Sequence, residues 1–302
     1  MDALRQRLET QLSASVQPAV REFAEALAHD EGALAVLFYG SNLRTGSLDG
    51  VLDFYVLLPG DGSDEPRIWP RVSYHERPHG DVTLRAKVAT MQLATFASAA
   101  SGALTDTTIW ARFVQPCALV WQRNKDAADD VMVAVAAAAM TAAQLAVALG
   151  PEQGTADDYW RALFQATYKA EFRVEKPGRE NDILGVNEAH FDGLLPAALS
   201  AAGIAFETKG ETIVPALSDA ERGNLLNWWT KRQRMGKPMN FARLLKASTT
   251  FDGAAKYAAW KIERHTGMPV EVTPFRERYP VLAAPSVLWS LWRHKKKQGS
   301  QS

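Results

Sequence analysis

Residues 38–58 read FYGSNLRTGSLDGVLDFYVLL, and within them Asp53 stands between Leu52 and the run Phe54-Tyr55-Val56. A carboxylate in so apolar a segment loses hydration on burial and needs a cation, a metal ion or hydrogen-bond donors to offset that loss. Few folds bring such a partner to the interior of a strand, so this one residue restricts the possible arrangements sharply. The preceding run, residues 33–39, is also strand-like and ends in Gly40-Ser41. Two strands joined by a loop containing Gly and Ser are therefore expected, with the acidic residue on the second.

The chain has 302 residues, 47% hydrophobic and 23% charged, the balance of a folded globular protein with room for one large domain or two ordinary ones. Lys plus Arg and Asp plus Glu are equal at 34 each, so no global basic field points to nucleic acid as a partner. Cys117 is the single cysteine, which excludes an internal disulfide and suits a reducing, cytoplasmic setting. The opening residues MDALRQRLETQLSASV lack the order of a secretory signal. The longest uncharged run, residues 131–149, is mostly alanine with Thr141 and Gln144 inside it, and is expected as a packed internal helix.

Leu4, Leu8, Leu12, Val16, Val20 and Phe23 recur at helical spacing and predict a helix over 2–28. Strands are expected at 33–39, 52–58, 71–76, 82–90 and 113–122, with the turn RPHGD between the third and fourth and a short helix at 91–100. That pattern is an α+β fold, a mixed sheet with flanking helices. From residue 126 helices dominate: 126–150, then a capped helix from Thr155 towards Pro177-Gly178, then segments near 181–202 and 218–233. A β-like interruption covers 206–214, and Asp252 precedes a helix at 254–265. The expected organisation is a mixed domain at 1–124, a mostly helical domain at 125–270 that completes the site, and a basic amphipathic tail at 271–302. In that tail Trp289 and Trp292 run into Arg293, Lys295, Lys296 and Lys297, a composition suited to peripheral contact with an anionic membrane. A terminal helix docked on its own domain accounts for the same residues.

A strand ending in Gly-Ser followed by a strand carrying Asp resembles the nucleotidyltransferase fold shared with polymerase β. The residue types suit that chemistry. Gly40 lets backbone N–H groups approach a triphosphate, Ser41 and Asn42 add polar groups, and Arg44 adds a cation. Asp53, held on a rigid strand, would bind Mg²⁺ or Mn²⁺ bridging phosphate oxygens. The usual pattern has a second carboxylate two residues earlier, where Val51 stands; Asp49 is the substitute candidate, and a turn at Asp49-Gly50 explains Asp49 equally well.

Four blocks carry a closer likeness: Tyr39-Gly-Ser41 with Leu52-Asp-Phe54, Lys87-Val88, Arg112-Phe-Val-Gln-Pro116, and Tyr168-Lys-Ala-Glu-Phe-Arg173. Over roughly residues 34–175 the sequence resembles the mitochondrial-type phosphatidate cytidylyltransferases, which make CDP-diacylglycerol from CTP and phosphatidic acid. The resemblance implies that Gly40 and Ser41 cradle the triphosphate, Asp53 holds the metal, Lys87 contacts phosphate as a catalytic residue, and Arg112 faces the nucleotide or the acceptor phosphate. Glu171 continues the helical stripe Trp160, Phe164, Tyr168, so Glu171 and Tyr168 are expected to support the site from behind, and an ion pair of Glu171 with Arg112 explains the same placement.

The function expected is Mg²⁺-dependent transfer of CMP from CTP, or of a nucleotide from another NTP, to a lipid or phosphorylated small-molecule acceptor. The protein would be cytoplasmic, with peripheral contact on the inner membrane face. Two alternatives use the same residues: a lipid kinase, such as a ceramide or diacylglycerol kinase, moving the γ-phosphate of ATP, and a non-catalytic nucleotide-binding scaffold.

Overall fold

The computed structural model describes residues 2–66, 68–170, 179–250, 253–266 and 270–275. The N-terminal stripe forms two helices instead of one, α1 (Asp2–Leu12) and α2 (Pro18–Glu31). Pro18 sits in the first turn of α2, where its missing N–H costs nothing, and a proline there cannot prolong α1. Leu4, Leu8 and Leu12 of α1 and Phe23, Ala24 and Leu27 of α2 are buried, but on two different cores.

The sheet contains β1 (Ala35–Tyr39), β2 (Leu52–Leu58), β3 (Arg71–His79), β4 (Val82–Gln92) and β5 (Cys117–Gln122), in the order β3-β4-β2-β1-β5. β1 runs antiparallel to β2 and β5, β3 antiparallel to β4, and β2 parallel to β4, so the sheet is mixed as expected. Alternation along the strands separates two faces. Val36, Phe38, Phe54, Val56 and Val88 pack under α2, whereas Leu37, Tyr55, Leu57, Ala89 and Met91 face the larger core.

Between β1 and β2 lies the one-turn helix α3 (Ser41–Thr45). After β4 come α4 (Leu93–Ala100) and α5 (Thr108–Phe113). The expected strand at 113–122 is corrected here: Phe113 closes α5, and the strand begins only at Cys117, after Pro116, which has no N–H to donate to a ladder. Then follow α6 (Lys125–Leu149), α7 (Ala156–Ala170), α8 (Arg179–Val186), α9 (Glu188–Phe191) and α10 (Leu194–Ala201). The chain finishes with the ribbon β6 (Phe206–Lys209) and β7 (Thr212–Pro215), α11 (Asp219–Thr250) and α12 (Ala254–Thr266).

α6 is a packed internal helix. It is long and apolar enough to cross a membrane by length and composition, yet 72% of its most apolar window is buried inside the protein. It touches α1, α4, α5, α7, α10 and α11, so the larger core runs without a break from the sheet into the helical part. α7 starts with a reciprocal cap: the Asp158 carboxylate accepts from the Thr155 N–H at 2.9 Å, and Thr155 Oγ1 accepts from the Asp158 N–H at 3.3 Å. α11 runs past the expected end at 233 despite Pro238. Gly236 lets it lie directly on α7, for a Cβ there would come 2.5 Å from the Ala170 carbonyl oxygen.

Candidate functional site

The strand registers place one residue from each strand in a single row. Tyr74 on β3 faces Lys87 on β4, Lys87 faces Asp53 on β2, Asp53 faces Tyr39 on β1, and Tyr39 faces Cys117 on β5. Directly opposed side chains share a face of the sheet, so these five stand together. The next row inward, Val72, Ala89, Tyr55 and Leu37, is apolar or aromatic. The charged row therefore lies where the larger core gives way to solvent, and the sheet fixes the Asp53–Lys87 pairing that the strand sequence demanded.

Burial pushes the Asp53 carboxyl above its ordinary value, and Lys87 and Arg112 oppose that rise through space. Burial likewise lowers the Lys87 ammonium, which Asp53 holds up while Arg112 and Lys261 press it down. Lys87 is itself exposed to solvent, beside the half-buried Asp53. Among the described residues, no donor or cation is in direct hydrogen-bond or ion-pair contact with the Asp53 carboxylate. Its charge is matched at a distance, which leaves its oxygens open to a ligand.

The Gly-Ser turn lies against that carboxylate. Gly40 has φ 88° and ψ −164°, a conformation reserved for glycine, and a Cβ on it would stand 3.0 Å from Asp53 Oδ2. Backbone and carboxylate meet there without intervening hydrocarbon.

Arg112 reaches the row from α5. Its guanidinium lies 5.4 Å from the centre of the Tyr39 ring and 5.9 Å from that of Tyr55, and Nη1 donates to the Tyr55 hydroxyl at 3.1 Å. Burial raises both phenols, and Arg112 opposes the rise in each. α5 is itself anchored. The Asp106 carboxylate accepts from the Thr108 N–H at 2.8 Å and the Thr108 hydroxyl at 2.6 Å. Asp106, almost fully buried, also pairs with Arg243 of α11, whose Nε donates to the Trp69 carbonyl at 2.9 Å. A buried pair with its hydrogen bonds filled fixes orientation better than it adds stability. Asp106, Arg243 and Tyr55 escaped the sequence reading because no local spacing links them to Arg112.

The remaining candidates fall in different places. Asn42 is buried, and its amide donates to the Ser47 and Asp49 carbonyls, both at 2.8 Å, so its side chain holds the loop closed and is not free for a nucleotide. Ser41 is exposed at the start of α3. Asp49 is exposed, and its N–H bonds the Ser47 hydroxyl at 3.0 Å. Arg44 lines a groove with Arg7, Gln11 and His190 that reaches the β5 end of the row at Cys117. Tyr168 packs half-buried against the larger core from α7. Glu171, Trp289, Trp292, Arg293, Lys295, Lys296 and Lys297 lie outside the described residues.

No protein-family model and no curated protein sequence matches this chain. The site must therefore be judged on its own chemistry. A bare divalent cation fits it poorly, since Asp53 faces two cations and no group of three His, Cys, Asp or Glu side chains converges among the described residues. A Mg²⁺ ion carried by a polyphosphate fits it well. Such an ion commonly takes one or two carboxylates and fills its other positions with phosphate oxygens and water. The surplus phosphate charge would then face Lys87 and Arg112, the two cations that act on Asp53.

Proposed function

We propose that the protein is a Mg²⁺- or Mn²⁺-dependent nucleotidyltransferase that moves CMP from CTP to a phosphate-bearing acceptor such as phosphatidic acid, releasing pyrophosphate. The observation that carries this reading is the open Asp53 carboxylate, set against the Gly40 turn and flanked at a distance by Lys87 and Arg112. The choice of CTP and of phosphatidic acid rests on the sequence resemblance and not on the geometry.

In this reading Asp53 would hold the metal, which would supply neutralisation of phosphate charge. Gly40 offers its backbone to the triphosphate at a distance no side chain would allow. Lys87 and Arg112 would offset the charge that develops on the phosphoryl oxygens, and their support by the sheet and by Tyr55 favours little reorganisation at the moment of reaction. An acceptor phosphate oxygen forms the new bond to the α-phosphorus. The bond from that phosphorus to the α–β bridging oxygen breaks, and its electron pair leaves with pyrophosphate. A phosphate dianion needs no proton removed, so positioning and charge are the whole demand on the protein.

Purified full-length protein given α- and γ-labelled CTP with phosphatidic acid vesicles tests the reaction. The expected result is α-label in the lipid product and its loss, by roughly 10²-fold or more, in Asp53→Asn. In a parallel assay with γ-labelled ATP and diacylglycerol or ceramide vesicles, label in the lipid from the γ position alone would establish the lipid-kinase alternative. An Asp53→Asn protein that folds and keeps its cellular function would favour the non-catalytic scaffold. Membrane contact through the tail is tested separately by deleting residues 286–302, which is expected to abolish binding to anionic vesicles.

A further inference from the structure

α12 approaches the charged row from the β3 edge of the sheet. It is preceded by Gly253, at φ 76°, where a Cβ would come 2.8 Å from the Tyr74 carbonyl oxygen. Tyr257 packs on Tyr74 with ring centres 5.4 Å apart, and Trp260 stacks on Tyr257 while lying 5.4 Å from the Arg85 guanidinium. Tyr74 is the first member of the row that continues through Lys87 and Asp53, so this aromatic docking sets α12 beside that row.

One helical turn beyond each ring the sequence places a cation. Lys261 lies with its Nζ 5.7 Å from the Tyr257 ring centre, and the Arg264 guanidinium lies 5.3 Å from that of Trp260. The rings steady the two stems while the charged ends stay in solvent. Arg264 Nη1 is 3.1 Å from where a Cβ on Gly50 would stand, against the loop that leads into Asp53. Lys261 acts electrostatically on Lys87. Neither cation is paired with a carboxylate among the described residues. Like charges gathered around a site that already holds Lys87 repel one another, and a polyanion relieves that repulsion.

We propose that Lys261 and Arg264 bind the β- and γ-phosphates of the nucleotide and, after transfer, hold the leaving pyrophosphate on the α12 side of Asp53. The inference rests on the nucleotidyl-transfer reading and gives its leaving group a place. The negative charge that arrives on pyrophosphate with the electron pair of the broken bond develops beside two cations already steadied by aromatic rings.

Inorganic pyrophosphate is the probe. Its binding to the full chain with Mg²⁺ is followed by calorimetry, and its inhibition of transfer is measured in parallel. Lys261→Gln/Arg264→Gln is expected to weaken pyrophosphate about tenfold or more, the effect of losing two charge-assisted contacts. Lys261→Arg/Arg264→Lys is expected to restore most of it. The control Lys125→Gln/Lys209→Gln removes two exposed cations elsewhere and is expected to change binding by less than about twofold, since distant charges are screened. Wild-type affinity for pyrophosphate in the α12 double variant would overturn the inference, even if α-label still reaches the lipid. Lost pyrophosphate binding in a protein that transfers no α-phosphorus would keep the polyphosphate site on α12 and remove the transferase reading.

Discussion

Replacing Gly40 by alanine examines the closest approach in the site. Two costs add. The backbone at φ 88° and ψ −164° is strained for any residue with a side chain, by about 1–3 kcal/mol. The new Cβ would also stand 3.0 Å from Asp53 Oδ2, and displacing a held carboxylate costs about 1 kcal/mol more. The expected loss of stability is therefore about 3 kcal/mol, or roughly 5 °C in melting temperature for a chain of this length. Gly80, at φ 58° with nothing near its would-be Cβ, provides the comparison, since Gly80→Ala carries a backbone cost of about 1 kcal/mol and no clash. A double-mutant cycle then isolates the carboxylate. Asp53 Cβ is 3.7 Å from the same point, an ordinary contact, so Asp53→Ala removes the clash and keeps the rest. In that background Gly40→Ala should cost about 1 kcal/mol less, read from urea unfolding of all four proteins. Additivity within about 0.3 kcal/mol would refute the claim that the turn and the carboxylate touch.

Three further outcomes are expected. Tyr55→Phe removes the hydroxyl that accepts from Arg112 at 3.1 Å; stability should fall by about 1 kcal/mol while the transfer rate falls about tenfold, and an unchanged rate in steady-state assays would show that Tyr55 does not position Arg112. The Cys117 thiol, buried and pushed up to about 12, should not react with Ellman's reagent at pH 8 in the native protein and should give one equivalent in guanidinium. His190 is half-buried with Nε2 2.8 Å from the Val114 carbonyl, and desolvation lowers its pKa below 6.5. The unfolded chain therefore takes up that proton first as pH falls, so stability is full above about pH 6.5 and declines towards the lowered folded value, by at most about 1.4 kcal/mol per pH unit. His190→Gln should flatten that slope in urea melts between pH 7.5 and 5.5.

Local pattern was a sound guide wherever local forces set the structure. The strands at 33–39, 52–58 and 82–90 were legible because their alternation or apolar runs require a sheet, and α6 because its alanine-rich length requires a core. Boundaries set by distant contacts were not legible. Phe113 and Val114 favour strands, but α5 holds Phe113 as a helix, with Asp106 capping its start and Arg243 of α11 holding Asp106. The helix expected to end near 233 continues through Pro238 as α11, lying on α7 at Gly236 and tied to Asp106 through Arg243. Asn42 was expected to contact the nucleotide, and its amide clasps its own loop through the Ser47 and Asp49 carbonyls.

The same division runs through the site. An acidic residue in an apolar strand must find compensation, and a glycine before a turn permits close backbone approach; both statements follow from covalent chemistry and hydration, so Gly40 and Asp53 could be read directly. Which cation answers Asp53 is a matter of strand pairing, and pairing depends on the burial of whole faces. The parallel register of β2 with β4 chose Lys87 and the helix α5 brought Arg112, while aromatic docking on β3 set α12, with Lys261 and Arg264, beside Tyr74. Contacts between residues so far apart in the chain leave no trace in spacing, because they form only once the cores that carry them have closed.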